Sequence, residues 1–122
     1  MLRQVFVINK ELGMGKGKIA VQAAHGEVFY MNYLAQPHSS GHTEFFAWMK
    51  DGAMKKVVLK ATLEEMRCLA EALDARTIWY HIVYDLGLTQ IPANSATCLV
   101  VEPLDEALTS ELFGHLTLLW SS

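Results

Sequence analysis

Four short apolar segments alternate with segments of helical periodicity, and this order constrains the fold more than any other feature of the sequence. The short segments are rich in β-branched and aromatic residues, which is typical of strands, and they lie at residues 5–8, 55–61, 77–84 and 96–101. Apolar residues at helical spacing predict helices at residues 18–34, at residues 44–49 and from about Asp105 to Gly114. A further helix is predicted to start at the capping box formed by Thr62 and Glu65. The order β-α-α-β-α-β-β-α is typical of a layered α/β domain with a partly parallel sheet. No helix separates the last two strands, which allows them to pair antiparallel.

Length and composition favour one self-sufficient domain. The chain has 122 residues, of which 52% are hydrophobic, and a chain of this size can fold without disulfides or a structural metal. We therefore expect a single domain over residues 1–122. Cys68 and Cys98 lie among apolar residues, which predicts buried free thiols. Because the sequence shows neither a secretory pattern nor a run of about 20 apolar residues, we expect a cytoplasmic protein.

A glycine-rich loop between the first strand and the first helix is the first candidate site. It carries Gly13, Gly15 and Gly17 together with Lys16 and Lys18. The first amides of a helix lack partners and the helix dipole is positive there, so this segment can bind an anion. The glycine spacing differs from the dinucleotide fingerprint, and no Ser or Thr follows a Gly-Lys pair as a Walker loop requires. The alternative is a solvated turn without a ligand.

Three polar residues form a stripe on the first helix, which is otherwise largely apolar. Lys18, Gln22 and His25 follow one another at helical spacing and lie within about 60° on the helix surface. The stripe starts at the glycine loop, which favours a role in a site. The alternative is that these residues mark the solvated face of the helix.

The segment after the third strand supplies a carboxylate and two hydroxyls, from Asp85, Thr89 and Thr97. Ligands of α/β domains bind beyond the carboxyl ends of parallel strands. If the first and third strands are parallel, Asp85 emerges at the same edge as the lysines of the glycine loop. This arrangement would place an acid or base beside an anion site. The alternative is that Asp85 and Thr89 only make hydrogen bonds within a turn.

Sequence motifs at these same positions resemble the peptidyl-tRNA hydrolase type 2 family. Residues 14–25, MGKGKIAVQAAH, are similar to the opening signature of that family, and residues 55–60 are similar to its second strand. Residues 85–91, DLGLTQI, and residues 94–97 are similar to its D-x-G-x-T-Q-I loop and the following strand. Residues 114–119 are similar to its C-terminal tail. The resemblance covers nearly the whole chain.

The resemblance implies a three-layer α/β/α fold with a four-stranded mixed β-sheet, and a homodimer. It implies hydrolysis of the ester between a peptide and the 3′ ribose of tRNA, without a metal or an organic cofactor. The family's active-site positions correspond here to Lys18, Gln22, Asp85, Thr89 and Thr97, and His25 belongs to the same motif. The positions expected to bind the substrate or its phosphate are Gly15, Lys16, Gly17 and Gln90.

These residues suggest a mechanism for ester hydrolysis, which needs an activated water molecule and a stabilised oxyanion. We expect Asp85, with Thr89, to orient or deprotonate the water. Lys18 would stabilise the oxyanion or hold the terminal phosphate. Gln22 and Thr97 would position the acyl group through hydrogen bonds.

Three positions depart from the family pattern. Ala24 stands where many members have serine, Leu86 replaces an alanine beside Asp85, and Gly26 replaces an alanine after the motif histidine. These departures leave two alternatives open. One is a non-catalytic or repurposed member that binds tRNA or a protein partner, and the other is hydrolysis of a different ester or amide.

Charge is unevenly divided along the chain. Residues 1–60 carry eight basic and four acidic residues, whereas the remaining residues carry two basic and nine acidic ones. We interpret this division as a focused anion site on an acidic protein, suited to binding the end of a tRNA. The lysines expected to form that site are Lys10, Lys16, Lys18, Lys55, Lys56 and Lys60.

Overall fold

The computed structural model describes residues 1–85, 91–92 and 94–120. Its strands, in chain order, are β1 Leu2–Asn9, β2 Lys56–Ala61, β3 Tyr80–Tyr84, β4 Ala96–Val101, β5 Leu104–Asp105 and β6 Thr117–Leu118. Its helices are α1 Lys16–Leu34, α2 His42–Lys50, α3 Leu63–Ala75 and α4 Glu106–Phe113, with one 3₁₀ turn at Lys10–Leu12. The predicted order of the longer elements is confirmed. In the described part of the chain, no helix is long and apolar enough to cross a membrane.

The strands form one mixed sheet in the order β3-β4-β1-β2-β6, and β5 pairs with β1 beside this path. β1 is parallel to β2, whereas β4 is antiparallel to both β1 and β3. The antiparallel pairing of the last two long strands is therefore confirmed, and β1 and β3 run parallel to each other. The expectation of a four-stranded sheet is wrong, because β5 and β6 add strands of two residues each. Segments this short do not show the period of two by which a sequence reveals a strand.

Side chains of β1 alternate between two hydrophobic cores, one on each face of the sheet. Val5 and Val7 belong to the core formed with α3 and α4. Phe6 and Ile8 belong to the core formed with α1. Burying a side chain of this size stabilises the fold by about 1.5–3 kcal/mol. Helices therefore cover both faces, and β1, like β4, contributes side chains to both cores.

The third strand begins later than its sequence pattern predicts, at Tyr80 instead of Thr77. The preceding residues complete the end of α3, because the amide of Ile78 donates to the carbonyl of Leu73 at 3.0 Å. Thr77 has a left-handed φ of 56°, which turns the chain out of the helix. Ile78 and Trp79 are therefore half-buried without being part of a strand, and the β-branched and aromatic residues form a strand only from Tyr80 onward.

The two cysteines differ in environment. Cys98 is buried in β4, as predicted, and burial raises the pKa of its thiol to about 12. Cys68 is exposed, so the prediction of a buried thiol at this position is wrong. The buried face of α3 carries Met66, Leu69 and Leu73. Since each helical residue is rotated by about 100° from the last, Cys68 lies away from that face.

Removing the capping box of α3 tests the local signal that starts this helix. Thr62 Oγ1 accepts from the amide of Glu65 at 3.1 Å, and Glu65 Oε1 accepts from the amide of Thr62 at 2.9 Å. We expect Thr62→Ala to lower the free energy of unfolding by about 1 kcal/mol, because it leaves a helix amide without its acceptor. Urea denaturation at neutral pH would measure this change. The control Thr43→Ala, in an exposed part of α2, should leave stability nearly unchanged, and an equal loss in both variants would contradict the capping role.

Candidate functional site

The candidate site lies at the edge of the sheet where β1 and β3 both end. α1 begins beyond the end of β1, and Lys18 lies in its first turn. Asp85 follows directly after β3. The Lys18 ammonium and the Asp85 carboxylate form an ion pair. The structure thus brings together the lysine and the carboxylate that the sequence pattern predicts at one edge.

This ion pair is largely removed from water. The side chains of Lys18 and Asp85 are 14% and 4% exposed. Burying two charges is costly, and the attraction between them offsets that cost because it is stronger where water is excluded. The main chain of Asp85 is also fixed, since its amide donates to Ser95 O at 2.9 Å and its carbonyl accepts from Asn94 N at 2.6 Å. The carboxylate is therefore held by hydrogen-bonded backbone.

Gln22 and Thr97 form a second buried contact at this site. Gln22 lies one helical turn after Lys18, and both its side chain and that of Thr97 are buried. Thr97 Oγ1 lies 2.7 Å from Gln22 Oε1 and 3.1 Å from the carbonyl oxygen of Val83. The single hydroxyl proton is therefore directed between two acceptors, the nearer of which is the glutamine.

A β-bulge in β4 turns Thr97 toward α1. Val83 of β3 pairs with Cys98, whereas the next residue of β3 pairs with Ala96. Thr97 is therefore the extra residue of the bulge. Cys98 already faces the core beneath α1, so strict alternation would send Thr97 to the opposite face of the sheet. The bulge allows both residues to face α1, and this is why Thr97 reaches Gln22.

The predicted anion site is the first turn of α1. The helix begins at Lys16, two residues earlier than predicted, and Gly15 caps it in an extended conformation. Gly15 has no side chain that could satisfy the first amides, and Lys16 and Gly17 are exposed. This end of α1 therefore presents backbone donors, a positive dipole and a lysine to solvent. The sequence pattern placed these residues in a loop because glycine is a poor helix former.

The remaining predicted residues to be placed are His25, Thr89 and Gln90. His25 is exposed, although it lies on the same side of α1 as Gln22. Thr89 and Gln90 lie outside the described residues, as does Leu86. Their roles stay predictions.

The six lysines that were expected to form one anion site occupy two ends of the sheet. β2 places Lys56 beside the start of β1 and Lys60 near its end, which separates them by about 13 Å. Lys55 forms an exposed ion pair with Glu106 at the far end, where Nζ and Oε1 are 3.2 Å apart. The prediction of one cluster is therefore wrong for Lys55 and Lys56. A strand carries its residues along its length, so closeness in sequence did not bring these lysines to one point.

Asn9 is a further residue of this region, and no sequence motif pointed to it. Its buried side chain donates from Nδ2 to Ala96 O at 2.9 Å, and its Oδ1 accepts from Glu11 N at 3.0 Å. Asn9 therefore joins the end of β1 to the start of β4, one residue before Thr97. The available signal was an amide at the end of an otherwise apolar strand.

The arrangement is suited to chemistry on a polar bond. The Asp85 carboxylate can accept a proton, the Lys18 ammonium can stabilise negative charge, and Gln22 with Thr97 can position a reacting group. Among the described residues, no group of three or more His, Cys, Asp or Glu side chains could hold a metal ion.

Comparison with known proteins gives a consistent match over almost the entire chain. A model of the family described as peptidyl-tRNA hydrolase PTH2 matches residues 2–119. A peptidyl-tRNA hydrolase of Thermococcus onnurineus is 42% identical over 121 residues, which cover 95% of this chain and 96% of the relative. Peptidyl-tRNA hydrolases of Thermococcus sibiricus and Saccharolobus islandicus are 36% and 31% identical, covering 95% and 98% of this chain and 96% and 100% of theirs.

A double-mutant cycle would measure the coupling between Lys18 and Asp85. We expect the variants Lys18→Met, Asp85→Asn and their combination to give a coupling above about 1 kcal/mol in the free energy of unfolding. Exposed ion pairs seldom exceed this value, whereas this pair is shielded from water. The measurement is urea denaturation of the four proteins.

The pair formed by Arg76 and Glu111 is a matched control, because its side chains are 43% and 60% exposed and its N–O distance is 2.9 Å. The same cycle there should give less than about 1 kcal/mol. Equal couplings in the two cycles would show that burial adds nothing to the interaction of Lys18 with Asp85.

Proposed function

Because the chain belongs to the peptidyl-tRNA hydrolase PTH2 family, we propose that it hydrolyses the ester between a peptide and the 3′ ribose of tRNA. The observation that carries this proposal is the buried ion pair of Lys18 and Asp85 beside the contact of Gln22 with Thr97. Two of these residues lie in α1 and two lie within residues 85–97, and the fold brings them to one edge of the sheet. The products are free tRNA and a peptide with a free carboxyl group.

In the proposed reaction, Asp85 takes a proton from a water molecule as the water oxygen attacks the ester carbonyl. A carbon–oxygen bond forms, and the carbonyl oxygen becomes an oxyanion that the Lys18 ammonium stabilises. The bond from this carbon to the ribose oxygen then breaks, and the proton is delivered to that oxygen. Thr89, which lies outside the described residues, would help to orient the water.

The contact of Thr97 with Gln22 suggests a division of roles between their polar atoms. Thr97 directs its hydroxyl proton toward Gln22 Oε1. With its carbonyl oxygen engaged in this way, Gln22 acts on the substrate as a donor through its amide N–H groups. We assign these donors to the ester carbonyl, where they would strengthen as negative charge develops. Thr97 is then a positioning residue that acts through Gln22.

The first turn of α1 supports binding of a terminal phosphate of tRNA. Gly15, Lys16 and Gly17 present uncapped amides and an exposed lysine there, and Lys60 lies toward the same edge of the sheet. Phosphates bind at such helix ends because backbone donors and the helix dipole both favour negative charge. His25, in the next turns of α1, would contribute to the same contact, as would Gln90, which lies outside the described residues.

A homodimer is part of this proposal, and the outward face of α1 supports it. That face carries Val21, Ala24, Val28 and Met31, all of which are exposed. No Lys, Arg, Asp or Glu lies between Lys18 and Glu27, and none follows Glu27 in α1. An apolar stripe along a helix of 19 residues, about 28 Å long, is unusual on a free surface. A second copy would present the same uncharged stripe, which makes the face self-complementary.

The proposal also includes a single domain over residues 1–122 and a place in the cytoplasm. The two cores share the strands of one sheet, which supports one folding unit. A place in the cytoplasm would bring the protein together with the tRNA used in translation there.

Activity measurements on purified protein test the proposed reaction. We expect the wild-type protein to release tRNA from N-acetyl-leucyl-tRNA, and we expect Lys18→Ala and Asp85→Ala to reduce kcat/KM by at least roughly 100-fold. Lys56→Ala is the control, because this lysine lies at the other end of the sheet over the ring of Trp48. It should retain activity close to that of the wild type.

Two outcomes would contradict the proposal. Wild-type rates in the Lys18 and Asp85 variants would exclude the mechanism. No turnover by the wild-type protein, combined with tRNA binding that weakens as salt rises, would favour a protein that only binds tRNA.

The dimer is tested by placing a charge on the outward face of α1. We expect Val28→Asp to convert a dimer into a monomer in sedimentation experiments, because it buries an unpaired carboxylate in the interface. Phe46→Asp is a matched control, since Val28 and Phe46 are both 65% exposed and Phe46 lies on α2. A monomeric wild-type protein, or dissociation only by the Phe46 variant, would exclude this interface.

A further inference from the structure

A cavity of about 210 Å³ opens on the opposite face of the sheet from α1, beside the candidate site. It lies between the first turns of α3, the ends of β1 and β3, and the start of β4, and we name it the α3 cavity. Its lining is mostly apolar, from Leu12, Leu63, Met66, Ile82 and Tyr84, and its polar groups include Asn9 and the guanidinium of Arg67. The reaction proposed above does not use it.

The walls of the α3 cavity are continuous with the backbone that holds the carboxylate. Tyr84, which lines the cavity, immediately precedes Asp85. Asn94 and Ser95 also line it, and their main chains make the two hydrogen bonds that fix the main chain of Asp85. A molecule that crosses the edge of the sheet at Asp85 would therefore reach the cavity directly.

We propose that the α3 cavity binds the side chain of the amino acid whose carboxyl group forms the ester, an inference that rests on the proposed function. The ester divides the substrate into an anionic tRNA half and a peptide half. The exposed Lys16 lies at the start of α1, on the other side of the sheet edge, and attracts the tRNA half. The peptide half then extends toward the α3 cavity, where the lining is mostly apolar.

Size and chemistry both suit such a side chain. A dry apolar cavity of about 150 Å³ is large enough to bind benzene, so 210 Å³ accommodates a leucine or phenylalanine side chain. Burial of these side chains is favourable in proportion to their apolar area. Arg67 and Asn94 provide hydrogen-bond donors for the carbonyl groups of the adjoining peptide. A glycyl group would leave the cavity empty.

The first test compares substrates that differ only in this side chain. We expect kcat/KM of the wild-type protein to be at least about tenfold higher for N-acetyl-leucyl-tRNA than for N-acetyl-glycyl-tRNA, since one well-filled apolar pocket discriminates by about this factor or more. The two substrates should use the same tRNA body, so that phosphate contacts are equal. Equal values would overturn the inference and leave the proposed hydrolysis intact, whereas absence of turnover with both would instead overturn the proposed function.

The second test changes the cavity. Leu63→Trp fills it and Tyr84→Ala opens it, and we expect each to reduce the leucyl-to-glycyl ratio of kcat/KM at least threefold. Because the readout is a ratio, a loss of folded protein cancels, and the exposed position of Tyr84 provides a variant that does not disturb the core. Leu118→Trp, on the short exposed strand β6, is the control and should keep the wild-type ratio.

The same variants distinguish the peptide side chain from the terminal adenosine of tRNA as occupant. Inhibition of the wild-type protein by AMP is measured beside the substrate ratio. If Leu63→Trp and Tyr84→Ala weaken inhibition by AMP and leave the ratio unchanged, the cavity binds the nucleobase and the inference is wrong. An altered ratio with unchanged inhibition by AMP supports it.

Discussion

β4 lies antiparallel between β1 and β3, and the rest of the site depends on this constraint. Since β4 reverses direction relative to both neighbours, β1 and β3 point the same way and end at the same edge. One of them leads into the helix that carries Lys18, and the other leads directly to Asp85. If β4 were parallel to β3, the chain between them would have to cross back along one face of the sheet, usually as a helix. The connection after β3 is too short for such a crossover. The position of the ion pair therefore follows from strand direction before any side chain is considered.

The bulge in β4 shows how an irregular backbone feature can serve a site. A regular strand offers only every second side chain to one face, and the α1 face of β4 already receives Cys98. The additional residue gives that face a hydroxyl without removing the apolar side chain from the core. Two neighbouring residues of β4 therefore serve different purposes, Cys98 in the core and Thr97 in the site. Asn9 holds β4 immediately before the bulge, through its hydrogen bond to the carbonyl of Ala96.

Much of the fold and part of the site follow from the sequence in physical terms. The strands at residues 55–61 and 96–101, the capped start of α3 and the end of α4 are local features, and the structure confirms them within about one residue. The meeting of Lys18 with Asp85 also follows from a general rule about parallel strands. By contrast, the side to which Thr97 points depends on a bulge, which leaves no signal in composition or periodicity. The separation of the lysines into two groups depends on strand register, which a count of charges does not reveal. The exposure of Cys68 depends on its rotation about the helix axis, which the presence of apolar neighbours in the sequence does not reveal. The two short strands are formed by pairing with partners far away in the chain, so no local pattern predicts them.

The division of charge along the chain has a consequence for turnover. Substrate and product of the proposed reaction carry the same tRNA phosphates, so a protein covered with lysines would hold both equally tightly. Here Lys55 is paired with Glu106, and the helices on the α3 side carry many carboxylates. The start of α1 is therefore the main site at which we expect phosphate contacts. Because each phosphate contact strengthens binding of tRNA, a protein that makes few of them retains the released tRNA less strongly. An acidic protein would in this way release the product tRNA faster. Acidic residues that never contact the ester would then increase the rate of turnover.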